Sequence, residues 1–174
     1  MRMRSPVLLM ILLLLVPLAI ASTPPVVKRA ELPPQAEIAV VMFRDCTITG
    51  QEDCDGSGNT AGSIFARVLA TESKVRAVPL SRPVGPKETL SDDAAVEYAK
   101  SKGYQYVLNG EVDDYYRVAP MTFRTERAGV SIRILRASDG SVMDFFSERK
   151  NSKSNFTTPD RLIEKMADHV RDSL

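Results

Sequence analysis

Cys46 and Cys54 are the only two cysteines in the chain, and the short polar stretch from Cys46 to Asn59 holds most of the residues whose types could do chemistry. A disulfide between them is the expected state of an exported protein, because an oxidising compartment preserves such bridges. A reactive or metal-binding thiol pair is the alternative. The spacing is not C-x-x-C, and the lone histidine, His169, lies far along the chain. Asp53, Asp55 and Ser57 set oxygen ligands at alternate positions with Gly58 following, which is how a calcium loop begins. Its closing position is Ile64, where a bidentate glutamate is needed, and no entering helix precedes Asp53. Gly56 and Gly58 could also offer backbone N–H groups to an anion at a helix start, but no Lys-Ser or Lys-Thr pair completes a phosphate loop. The plain alternative to both is a turn-rich connection feeding a helix.

Elsewhere Glu111, Asp113 and Asp114 crowd one predicted strand and could act as paired carboxylates in acid–base chemistry. In an unbroken strand Glu111 and Asp113 project to one face and Asp114 to the other, so a solvated face is the competing account. No G-x-S-x-G or H-E-x-x-H motif supplies a nucleophile or a zinc site, and the sequence predicts neither an enzyme nor a cofactor. Aromatic residues gather late in the chain: Tyr104, Tyr106, Tyr115, Tyr116, Phe123, Phe145 and Phe146. Tyr115, Tyr116 and Phe146 are the candidate partner face, with ordinary cross-strand packing as the alternative.

These residues need elements to hold them. The run Glu37 to Phe43 is apolar and β-branched, which predicts a central strand buried on both faces. A helix follows, with Ala61, Ile64, Phe65, Val68 and Leu69 at helical spacing behind a glycine-rich lead-in, Gly56 to Thr60, and an end near Ser73. Lys74 to Leu80 predicts a second strand, at an edge or a strand end because of Pro79. Ser91 caps a helix with Asp92 and Asp93 in its first turn, Ala95, Val96 and Ala99 on its apolar face, and Gly103 as its stop. Three strands are then expected, Tyr104 to Val118, Phe123 to Ala137 and Ser141 to Glu148, the last two joined by the Asp139-Gly140 turn. Gly110 marks a bulge or a close backbone approach. Thr158-Pro159-Asp160 opens the final helix, whose apolar face is Leu162, Ile163, Met166, Ala167 and Val170. The predicted class is α/β: a mixed sheet in the order β-α-β-α-β-β-β-α, with helices packed on it.

The strand IAVVMF, the helix after the glycine-rich loop, YVLNGEV (Tyr106 to Val112) and ILRASDGSV (Ile134 to Val142) together resemble the CsgG-like and TolB amino-terminal-like envelope domains. That group includes the penicillin-binding-protein activator LpoB. The resemblance implies a non-enzymatic domain that binds proteins in the periplasm or at the inner face of the outer membrane. CsgG and LpoB are lipoproteins, whereas no acceptor cysteine follows the apolar leader here, and nothing resembles CsgG's pore strands or TolB's propeller.

Residues 1–21 have the basic start, apolar run and Ala19-Ile20-Ala21 end of a signal peptide, with cleavage expected after Ala21. The apolar run is shorter than the roughly 20 residues of a membrane span. Residues 22–35, with four prolines, form an extended tail, and residues 36–174 form a single α/β domain. The formal net charge is +1, and loss of Arg2 and Arg4 makes it about −1, so bulk electrostatics favour neither nucleic acid nor an anionic membrane. Asn155-Phe156-Thr157 is a glycosylation sequon that matters only in a eukaryotic secretory pathway. The expectation is therefore a periplasmic, non-catalytic adaptor or accessory subunit of a larger envelope assembly. Its protein partner is unnamed, its membrane contact indirect, and self-association is open. The competing expectation is a small-ligand or calcium-binding domain centred on residues 46–59.

Overall fold

A computed structural model describes residues 32–48, 52–71, 74–118, 125–152 and 157–174. The leader, most of the tail, Phe123 and two residues of the sequon, Asn155 and Phe156, lie outside the described residues. The strands are β1 (Glu37–Val41), β2 (Arg76–Leu80), β3 (Tyr106–Tyr116), β4 (Arg127–Arg136) and β5 (Val142–Asn151); the helices are α1 (Ser57–Ala70), α2 (Asp92–Ser101) and α3 (Pro159–Ser173). They follow the predicted order and form one mixed sheet, β2-β1-β3-β4-β5. β1 runs parallel to β2 and β3, and β3, β4 and β5 are antiparallel.

Burial explains the first strand. Ile38 and Val40 face a core roofed by α1 and α3, while Ala39 and Val41 face a smaller core under α2. β1 is interior as expected, but β3 holds the middle position, because β4 and β5 extend the sheet on one side only. β4 alternates in the same way. Val130, Ile132 and Ile134 join the α1 and α3 core, and Leu135 joins Val107 beneath α2. Fully buried Leu69, Ile163 and Met166 tie α1 and α3 to the sheet, each contributing about 2 kcal/mol by removal of apolar surface from water.

The caps behave as the residue types require. Ser91 Oγ accepts from the Ala94 N–H at 3.3 Å, and Gly103 takes a positive φ of 85° after α2. Thr158 Oγ1 accepts from the Arg161 N–H at 3.4 Å, with Pro159 in the first helical turn. Gly140 turns the β4–β5 hairpin at φ 72°.

Several boundaries differ from the expectation. β1 stops at Val41, because the chain beyond it bends across to bond Arg44 onto β3. The lead-in Gly56 to Thr60 is mostly helix, since α1 begins at Ser57 and ends at Ala70, short of Ser73. β2, β3 and β4 begin later than expected, and β5 runs on to Asn151. The bulge in β3 falls at Asp113, between Val112 and Asp114, and Gly110 is instead a close approach. A Cβ on Gly110 would stand 2.8 Å from three atoms of the Phe43 ring.

Candidate functional site

In a sheet where β1 lies between β2 and β3, with α1 on one face and α2 on the other, the ligand position is the crevice beyond the carboxyl end of β1, at the start of α1. The chain fills that position with its own side chains. Asp45, 3% exposed, accepts from the Gly56 N–H at 2.9 Å and from the Gly58 N–H at 2.7 Å. Its carboxylate therefore stands where an anion would bind, and caps a helix whose own N-cap, Gly56, has no side chain to do so. Gly58 permits this closeness, because a Cβ there would sit 2.1 Å from the Phe43 carbonyl oxygen.

The neighbouring groups are engaged as well. The Arg44 backbone bonds to Gly110 and Val112 of β3, while its guanidinium pairs with Glu111 and donates to Thr89 Oγ1 at 3.0 Å. Arg82 donates to the carbonyls of Met42, Gly85 and Glu88, pinning the loop before α2. Burial and then the Arg44 charge hold its guanidinium below the ordinary value. Cys46 and Cys54 form the expected disulfide, with Cα atoms 5.1 Å apart. Both are buried, and the Cys46 N–H donates to Ser57 Oγ at 3.2 Å.

The three candidate calcium ligands go to separate partners. Ser57 is buried against Cys46, Asp53 accepts from the Arg117 N–H at 3.2 Å, and Asp55 pairs with Lys87 at 2.6 Å. Among the described residues, no group of three or more His, Cys, Asp or Glu side chains is placed to hold a metal ion.

Tyr115 is not part of an exposed partner face. It is 4% exposed and belongs to the α1 and α3 core, because the bulge at Asp113 reverses the facing of the residues beyond it. Its hydroxyl donates to Asp160 Oδ1 and accepts from Arg117 Nη2 at 2.9 Å, and Arg117 pairs with Asp160 Oδ2 at 3.2 Å. Burial first, and then the bond to Asp160, push the Tyr115 phenol up to about 12. With Asp53 on the Arg117 amide, this network ties the disulfide loop, the end of β3 and the start of α3 together. Tyr116 stays partly exposed beneath the Arg127 guanidinium, 5.0 Å from its ring centre. Phe146 packs against the core, edge-on to His169 at 5.5 Å.

The same bulge corrects the carboxylates. Glu111 lies opposite Ser131 and Asp114 opposite Gly129, so the two share a face of the sheet. Asp113 accepts from Ser131 Oγ at 2.7 Å, and buried Asp114 lies 3.5 Å and 3.7 Å from Arg127 and Arg149. Each acid is matched with a donor or cation, and they do not form a carboxyl pair. Asn109 was not anticipated as a site residue: its side chain donates to the Leu90 carbonyl at 3.1 Å and to Asp92 at 2.9 Å, and so holds the start of α2.

Other features lie on the surface. A shallow groove of about 500 Å³ between α1 and α3 has two arginines, Arg67 and Arg161, both held by Glu164 at 2.9 and 2.8 Å. Across the sheet, α2 packs mainly against β3 and the Leu135 end of β4. On the same face Arg133 pairs with Asp92 of α2 at 2.8 Å, and past it Ser131, Ser147 and Arg149 are partly or fully exposed, with Phe145 at 58% and Val142, on the rim, at 55%.

No family model matches the chain, and no curated protein matches it in sequence. Solved structures do match. The chain is similar to a point variant of the PelC dodecamer from Paraburkholderia phytofirmans, with 19% identity over 82% of this chain and 91% of that one, at a TM-score of 0.62. It is similar to lipoprotein GNA1162 from Neisseria meningitidis, with 12% identity over 79% and 96%, at a TM-score of 0.50. The LpoB carboxy-terminal domain from Salmonella enterica matches more loosely, with 13% identity over 71% and 88%, at 0.45. At these identities the likeness is one of fold. Among the described residues, no helix is long and apolar enough to cross a membrane.

Proposed function

We propose that this chain is an exported, non-catalytic component of the bacterial cell envelope, acting as an accessory subunit that binds protein within a larger assembly. One observation carries the reading. The crevice where this architecture takes small ligands is filled by Asp45, whereas the sheet face over β5 and the adjoining half of β4 stands open and bears Phe145, the most exposed large apolar side chain among the described residues. An open sheet face of mixed polarity with an aromatic at its rim suits protein contact better than ligand capture. The resemblance of YVLNGEV and ILRASDGSV to CsgG-like and TolB amino-terminal-like domains favours the same reading. So does the fold shared with lipoprotein GNA1162 and with PelC, which is a dodecamer.

The leader, the proline-rich tail as a spacer and the single domain over residues 36–174 belong to this proposal. Cross-linking in intact cells, followed by affinity purification of the tagged chain and mass spectrometry, tests it. Enrichment of one envelope assembly is expected. Recovery of the folded chain with no protein partner would overturn it.

A further inference from the structure

The two edges of the sheet are built differently. β2 is five residues long and contains Pro79, which has no N–H to offer a neighbouring strand. β5 is ten residues long, contains no proline and lies at the other edge. An edge of that length presents a row of backbone donors and acceptors to any strand that can lie beside it. Near its start the Phe145 N–H takes its own neighbour's carboxylate, Asp144 Oδ1, at 2.9 Å. The β-bulge in β5 is confined to Met143, so the pairing from Asp144 onward is regular.

The order of side chains along β5 selects a partner. About Ser147 as a centre, Asp144 is matched by Lys150, Phe145 by Arg149 and Phe146 by Glu148. In an antiparallel pair of identical strands centred there, Asp144 faces Lys150 and the exposed Phe145 ring faces the Arg149 guanidinium, while Glu148 lies opposite the half-buried Phe146. Such opposite-charge and cation–π pairs stabilise cross-strand contact, whereas like charges in register oppose it. Shifting the centre to Phe146 sets Asp144 against Glu148, so the register is specified as well. Phe145, Ser147 and Arg149 are exposed on one face, and Lys150, which pairs with Glu148 at 2.7 Å in its own strand, lies on the other with Asp144.

We propose that β5 pairs antiparallel with β5 of a second copy of this chain, about a two-fold axis at Ser147, to make one continuous sheet across two molecules. The contact is isologous, the same patch serving both copies. It stands apart from the envelope-partner reading, which needs no self-association.

The test uses the full chain produced in cells. Ser147→Cys brings two thiols face to face on the axis, so mild oxidation should convert the protein to a covalent dimer, while Arg76→Cys on the opposite edge should not. Asp144→Lys and Lys150→Asp, each alone, set like charges across both symmetric contacts and should weaken dimerisation about tenfold in sedimentation equilibrium. The double reversal Asp144→Lys with Lys150→Asp should restore it, which a folding defect would not do. Failure of Ser147→Cys to cross-link in a folded protein, or a double reversal no better than either single one, would overturn the proposal. Capture of an envelope partner alongside a failed cross-link would remove the β5 contact and leave the accessory-subunit reading standing.

Discussion

Gly58 shows how one residue can invert a general rule. Inside an exposed helix, replacing glycine by alanine normally adds about 1 kcal/mol of stability. Here the new Cβ would lie 2.1 Å from the Phe43 oxygen and 2.8 Å from the Arg44 carbonyl carbon, both backbone atoms that cannot swing aside. Gly58→Ala should therefore cost about 2 to 3 kcal/mol in urea denaturation, because α1 must lift off the end of β1 and loosen the Asp45 cap. Tyr115 makes the second case. Its phenol ionises at about 12 in the folded chain, against about 10 when unfolded. A raised pKa means the folded state holds the proton more tightly. Its stabilising contribution is thus complete below pH ~10 and is lost as pH climbs to about 12. Tyr115→Phe should lower stability at neutral pH by about 1 kcal/mol and flatten the alkaline decline. A decline parallel to the parent's would show that the phenol is not the group responsible.

At the scale of elements, the disulfide and the bulge do separate work. The bridge spans a sequence separation of eight, so removing it by Cys46→Ala with Cys54→Ala should cost about 2 kcal/mol of chain entropy. The urea midpoint should fall while far-ultraviolet circular dichroism stays unchanged, because the sheet does not depend on the loop. Loss of the helical signal as well would mean that closing the loop is what seats α1. The bulge at Asp113 turns Tyr115 inward to Asp160 and brings Asp114 to the face of Arg127 and Arg149. One extra residue thereby converts an expected partner-facing tyrosine into a core residue.

For the whole molecule, the filled crevice at the carboxyl end of β1 has a direct consequence. A ligand that binds only the folded state, at about 100 times its dissociation constant, adds roughly 2.7 kcal/mol. Millimolar calcium, phosphate or nucleotide should leave the Tm where it is. Asp45 already occupies the helix start, and Asp53, Asp55 and Ser57 are spread over three partners. A reproducible rise with any of them would return the residue 46–59 loop to consideration as a binding site.

The order of elements, the caps of α2 and α3, the Asp139-Gly140 hairpin and the two-sided burial of β1 were legible in the sequence, because each depends on local periodicity or on a residue type with a fixed conformational preference. The disulfide was legible too, since only two cysteines exist to pair. What the tertiary structure alone decided are relations between distant segments: Asp45 reaching across the disulfide loop to α1, the Phe43 ring over Gly110, Asn109 holding the start of α2, and Tyr115 bonded to Asp160. The glycines at 58 and 110 are the only local trace of the first two, and a glycine read alone cannot say what approaches it. A bulge has no local signature at Asp113 either. It is set by how β3 and β4 pair, and so the facing of every residue beyond it is fixed only when the sheet forms.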